Sequence, residues 1–90
     1  MYKIFPSTKF KKDLKLAIKR DYNIPLLNKV IMIIAEGKPL PKKYQDHALK
    51  GKYEGCRECH ITPDWFLVYE ISNDELILYL TQTETHSDLF

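Results

Sequence analysis

Ninety residues at 10.7 kDa make one small domain, residues 1–90, and exclude a second. With 44% hydrophobic residues, eleven aromatics and only three glycines, the chain has enough apolar material for a core, which excludes disorder. The longest apolar run, Val30 to Ala35, is six residues, against the roughly 20 that a membrane span needs. Lys3, Lys9 and Lys11 break up a signal-like start, so no membrane partner and a cytoplasmic location are expected.

The net charge of +2 hides an asymmetry. Residues 1–52 carry 13 Lys/Arg against 4 Asp/Glu, a balance of +9, while residues 53–90 carry one Arg against 8 acids, a balance of −7. A half-chain that basic is either a solvated lysine face or a surface for a polyanion such as nucleic acid.

Met1 to Pro6 alternates weakly and stops at a proline, as a short strand does. Ser7 is an N-cap for a helix reaching about Arg20, with Phe10, Leu14, Ala17 and Ile18 on one face. Lys11, Lys12, Lys15 and Lys19 fall on the other. Pro25 sits where a first helical position tolerates it, and Leu26, Leu27, Val30, Ile31, Ile33 and Ile34 form an apolar helix closed by Gly37 and Pro39. Residues 38–52 hold two prolines, five lysines and a histidine with no period, which predicts a long basic loop. Strands follow at about 53–61, 65–71 and 75–82, separated by Thr62-Pro63-Asp64 and Ser72-Asn73-Asp74 turns. The expected architecture is α+β: a short N-terminal strand, a two-helix hairpin and a three-stranded antiparallel meander. These form one twisted sheet with helices on one face, the other face concave and open, and a short C-terminal tail.

Cys56-Arg57-Glu58-Cys59-His60 spells the C-x-x-C-H string of haem attachment. On a strand Cys56 and His60 share one face and Cys59 points to the other, so the two thiols cannot serve one porphyrin. A zinc site from Cys56, Cys59, His60 and His47 meets the same objection, and no metal or other cofactor is expected.

Three histidines lie outside the helices: His47 in the basic loop, His60 near a strand end and His86 in the tail. With Asp64 in the turn before Trp65, they suit a nuclease that works without a metal. In RNA the 2′-OH is a built-in nucleophile, so cleavage needs a base for its proton, an acid for the leaving 5′-oxygen and cations for the phosphorane. Imidazole, with an ordinary pKa of about 6.5, suits both proton transfers. Trp65, Tyr44, Tyr53 and Phe90 are candidate platforms for unpaired bases.

The string Asp46-His47-x-Leu49-x-Gly51-x-Tyr53-x-Gly55-x-Arg57-x-x-His60-Ile61-x-Pro63-Asp64-Trp65-x-Leu67-Val68-Tyr69, with Thr85-His86-x-x-Leu89-Phe90 at the end, spans much of the chain. It resembles the YafQ-type toxins of the RelE/ParE superfamily, as do the basic first helix, apolar second helix and long loop in order and length. The resemblance implies a RelE-like fold and a ribosome-dependent mRNA endonuclease held inactive by a cognate antitoxin, monomeric when free and hetero-oligomeric with that antitoxin. It places His47, His60, Asp64 and His86 on catalytic positions and Phe90 on the terminal aromatic position. Members commonly carry an arginine after the last strand, where this chain has Gln82, followed by Glu84. Phosphorane charge must then be met by Lys50, Lys52, Arg57 or a protonated histidine.

On this reading His86 is the general acid, the base is His60, His47 or Asp64, and RNA contacts fall to Lys50, Lys52, Arg57, Trp65 and Phe90. Lys11, Lys12, Lys15 and Lys19 dock on ribosomal RNA. Two other readings share the sequence features: a ParE-like toxin that inhibits gyrase by binding, and a non-catalytic RNA-binding module.

Overall fold

The computed structural model describes residues 1–83; His86 and Phe90 lie outside the described residues. The chain runs through β1 (Lys3–Pro6), α1 (Thr8–Lys19), α2 (Ile24–Ala35), β2 (His47–Ala48), β3 (Arg57–Thr62), β4 (Trp65–Ser72) and β5 (Glu75–Thr83). Short 3₁₀ turns occupy Lys42–Tyr44 and Gly51–Tyr53. The strands form one sheet in the order β1-β5-β4-β3-β2, in which β1 runs parallel to β5 and every other pair is antiparallel.

Local chemistry fixes both helices. The Ser7 Oγ accepts the Phe10 N–H at 3.0 Å and donates to the Tyr79 carbonyl, so one hydroxyl starts α1 and ties it to β5. At the other end Asp21 takes φ 57°, Tyr22 N–H reaches the Ala17 carbonyl and Asp21 N–H the Ile18 carbonyl. This Schellman arrangement satisfies the last carbonyls of α1 and turns the chain into α2. Asn23 caps α2 by accepting the Leu26 N–H at 3.1 Å, with Pro25 in the first turn as expected. Gly37, at φ 75°, closes α2 in the same way, with Lys38 N–H on the Ile33 carbonyl.

Both helices cover one face of the sheet. Phe10 and Ala17 of α1 and Leu27, Val30, Ile31, Ile34 and Ala35 of α2 pack on Cys59, Ile61, Leu67, Tyr69, Leu76 and Leu78, which alternate inward along their strands. A side chain such as Leu67, fully buried here, contributes about 1.5–3 kcal/mol by leaving water. Ile18 departs from the expected apolar face and is 55% exposed. It sits about 80° round the helix from Phe10, at the flank of the stripe that meets the sheet. Asp13 lies on the inner side instead, and its carboxylate accepts the Thr81 N–H at 3.0 Å. That N–H follows the bulge where the β4–β5 register shifts between Val68 and Tyr69.

The basic segment is more ordered than a long loop. Gln45 at φ 48° ends the first 3₁₀ turn and lets His47 and Ala48 pair with Glu58 and Arg57, adding β2 to the sheet edge. β3 accordingly starts at Arg57, four residues later than expected, because residues 51–53 form the second turn. None of the helices in the described residues is long and apolar enough to cross a membrane.

Candidate active site

Glu58 and His60 alternate with the inward Cys59 and Ile61, so they face away from the helices. Register carries that face across the sheet: His47 pairs with Glu58, His60 with Phe66, and Phe66 with Gln82. The face is not bare, since Val68 and Cys56 are buried there outside the main core.

His47 is anchored at Nδ1 and meets a carboxylate at Nε2. Its Nδ1 lies 2.7 Å from the Gln45 carbonyl, and a carbonyl only accepts, so Nδ1 carries the hydrogen. Nε2 then faces Glu58 Oε1 at 3.2 Å, as a lone pair in the neutral ring and as a second N–H in the cation. His60 stacks on Phe66 at 4.2 Å between centroids and meets the His47 ring edge-on at 6.1 Å. Its Nδ1 is buried and has no hydrogen-bond partner among the described residues. One ligand atom from each of His47, Glu58 and His60 lies within 4.8 Å of the others, so these three could hold a metal ion.

Beside this cluster a carboxylate fixes β2 from the helix side. Asp46 accepts from Arg57 Nε at 3.2 and 3.3 Å, from the Arg57 terminal nitrogen at 3.2 Å and from the Tyr69 hydroxyl at 2.6 Å. Its hydrogen bond holds the Arg57 guanidinium protonated even more firmly than usual. Burial, then the Asp46 contact, push the Tyr69 phenol well up. A cavity of about 280 Å³ opens on this side, lined in part by Tyr2, Leu40, Asp46, Arg57 and Tyr69.

The other expected residues are distributed as follows. Asp64 is exposed in the β3–β4 turn, beyond the last pair, Thr62 with Trp65. Trp65 is only 4% exposed and its ring meets Tyr22 edge-on at 5.0 Å, so it anchors that turn in the core and presents no face for stacking on a base. Tyr44 is buried likewise, whereas Tyr53 is 40% exposed with Lys52 over its ring at 5.9 Å. Lys50 and Lys52 are exposed on either side of Gly51, beside the β2–β3 connection. Arg57 points to the helix side and is engaged by Asp46 instead of facing the histidines. Lys11, Lys12, Lys15 and Lys19 are all exposed on α1, across the sheet from His47 and His60. Glu58 was not among the expected residues; its i, i+2 spacing from His60 within a strand is the signal that could have found it.

The C-x-x-C-H string divides as strand parity predicts. His60 joins the cluster, but Cys59 is fully buried in the core, where burial pushes its thiol up to about 12. Both cysteines are free. On the open face, Cys56 is raised by burial and by Glu70, whose Oε1 accepts the Tyr79 hydroxyl at 2.6 Å.

Residues 2–90 match the model of a family described as the YafQ bacterial toxin of type II toxin-antitoxin systems. The chain is 38% identical over 85 residues to the mRNA interferase toxin YafQ of Escherichia coli strain K12, covering 93% of this chain and 90% of the relative. Its fold superposes with TM-score 0.91 on a copper-bound mutant toxin from Helicobacter pylori, 42% identical and covering both chains completely. It also matches a chain of the E. coli DinJ-YafQ complex with TM-score 0.85 at 36% identity, covering 100% of this chain and 99% of that one.

Proposed function

From the premise that the chain belongs to the YafQ family of type II toxins, we propose that it is an mRNA endonuclease working on the open face of the sheet. The carrying observation is the His47–Glu58–His60 cluster, which brings two imidazoles and a carboxylate together, while the β2–β3 connection that follows His47 in the chain carries exposed Lys50 and Lys52. The RNA 2′-oxygen attacks the adjacent phosphorus while a base removes its proton. The bond to the 5′-oxygen breaks, and an acid protonates that oxygen. The products are a 2′,3′-cyclic phosphate and a 5′-hydroxyl end. The 3.2 Å contact between His47 Nε2 and Glu58 Oε1 supports a proton relay through that pair, so the base is His47 acting with Glu58, His60 or Asp64. His86 is the acid in this reading and Phe90 a terminal base contact, both outside the described residues. Asp64 serves from the neighbouring turn. Arg57, being paired, supports the edge through Asp46 and leaves the direct phosphate contacts to the two lysines.

Messenger RNA is met on the ribosome in the cytoplasm, with the α1 lysines as docking charges. A cognate antitoxin holds the toxin inactive, as DinJ is partnered with YafQ in E. coli. The gyrase-binding alternative loses its ground, because the family matched is YafQ and a binding-only toxin has no need of clustered histidines. The copper-bound H. pylori toxin favours one further property, the capacity to bind a transition-metal ion.

The test uses naked RNA with excess EDTA, which removes any dependence on ribosome integrity. Cleavage should persist, yield 5′-hydroxyl ends, and fall by about 10²- to 10⁴-fold in His60→Ala and in His86→Ala. A folded His60→Ala or His86→Ala protein that cuts at the wild-type rate overturns the role assigned to that residue.

A further inference from the structure

We infer that the His47–Glu58–His60 cluster is an inhibitory site for a zinc- or copper-class ion, so that one occupied site switches the nuclease off. The inference rests on the proposed nuclease reading only for its consequence; the ion site stands on geometry. Two imidazoles and one carboxylate offer ligand atoms within 4.8 Å of one another, close enough that small side-chain rotations bring them onto one ion at about 2.0–2.2 Å per ligand. Two histidines with one carboxylate are also a donor set that catalytic zinc sites and other transition-metal sites use, leaving a position open to solvent.

Three features beyond the side-chain count favour an ion. The Gln45 carbonyl takes the Nδ1–H of His47, which leaves Nε2 as the free lone pair beside Glu58, the second-sphere arrangement typical of metal-bound imidazole. His60 Nδ1 is buried with no hydrogen-bond partner among the described residues, so the ring is not committed to a protein donor or acceptor. The backbone is already set, because the His47–Glu58 register pair and the Asp46 clamp hold two of the ligands across the β2–β3 ladder. Cys59 is excluded as a ligand on the same ion, since it faces the opposite side of the sheet with its thiol held protonated by burial, and Cys56 is not among the ligand atoms that lie within 4.8 Å of one another.

Ligation and catalysis compete for the same electron pairs. A histidine nitrogen bonded to an ion cannot take the 2′-OH proton, and a ligated Glu58 cannot relay it. Binding of one ion therefore blocks proton transfer without touching the α1 lysines proposed for ribosome docking.

Co²⁺ is the probe, since its visible spectrum reports coordination number directly. The full chain, titrated with Co²⁺ and then competed with Zn²⁺, should bind one equivalent with the absorption of a low-coordinate site. His60→Gln or Glu58→Gln should weaken binding by more than the about tenfold that loss of even an outer-sphere partner causes. Cys56→Ser should bind as wild type. Absence of a one-equivalent site, or retention of wild-type affinity in both ligand variants, overturns the site. In parallel, Zn²⁺ should stop cleavage of naked RNA at one equivalent, and EDTA should restore it. Stoichiometric binding with unchanged or increased cleavage overturns the inhibitory role, while failure of the metal-free protein to cut RNA would strike the nuclease reading and leave the ion site standing.

Discussion

The Tyr69 hydroxyl donates a 2.6 Å hydrogen bond to the Asp46 carboxylate, joining the middle of β4 to the residue just before His47. β2 has only two residue pairs, so this contact and the Arg57 pair do much to hold the His47 edge in place. Tyr69→Phe should destabilise the protein by about 1.5–3 kcal/mol, the range for a hydrogen bond to a charged group. Asp46→Asn, which also weakens the Arg57 pair, should slow cleavage of naked RNA further. A Tyr69→Phe protein with the wild-type urea midpoint would show that the bond contributes nothing to stability.

A second phenol reports on the open face by its titration. The Tyr79 hydroxyl donates to Glu70, and that bond, with burial and the carboxylate charge behind it, raises its pKa to about 12. The ordinary value is about 10. A pKa raised in the folded state means the fold binds this proton more tightly than the unfolded chain does. Its stabilisation is therefore complete below about pH 10 and is lost as pH rises towards 12. Glu70→Gln should bring the Tyr79 phenolate absorbance back towards about pH 10 and reduce the alkaline loss of stability. An unchanged titration curve in that variant would remove Glu70 as the cause.

Much of the fold was legible because its signals are local. Ser7, Asn23 and Gly37 act within one turn of themselves, and the periods of α1, α2, β3, β4 and β5 extend over six or more residues. β2 could not be read, since two residues have no period and their pairing depends on Gln45 entering the left-handed region. The parallel β1–β5 pair joins residues about 70 positions apart, such as Phe5 and Ile77, which no local pattern encodes. Trp65 shows the matching limit for sites: an aromatic ring beside an aspartate suits a base platform or a core anchor equally, and only Tyr22 at 5.0 Å decides it. Arg57 is the same problem in charge, because its partner Asp46 is eleven residues away on another strand edge.

Gln82 occupies the third place in the row His60, Phe66, Gln82 across β3, β4 and β5, and it is exposed. An amide there donates a hydrogen bond but brings no charge to a phosphorane forming near His60. Gln82→Arg should raise the naked-RNA cleavage rate by about tenfold, a modest share of what a well-placed donor to a developing oxyanion contributes. The rise should appear in kcat more than in KM, because the charge develops in the transition state. An equal or lower kcat would mean that Lys50 and Lys52 already meet that charge or that residue 82 lies out of reach of it.

The α1 lysines test whether docking and cutting use separate surfaces. Lys11, Lys12 and Lys15 are exposed on a helix whose inner side, through Phe10, Asp13 and Ala17, is committed to the sheet. They stand across the sheet from His47 and His60, so they cannot reach the phosphate being cleaved. Replacing all three with Gln should weaken ribosome binding and flatten its log–log salt dependence by roughly two to three units, about 0.9 unit for each phosphate that is no longer neutralised. Cleavage of naked RNA should be unchanged, since the proton-transfer groups and Lys50 and Lys52 are untouched. A substitution of three exposed side chains on one helix face has little packing effect, so a folding defect is not the expected confounder. If the triple variant binds ribosomes with wild-type affinity from low to high salt, the α1 charges are a solvated face, and docking must be sought in Lys42, Lys43, Lys50 and Lys52.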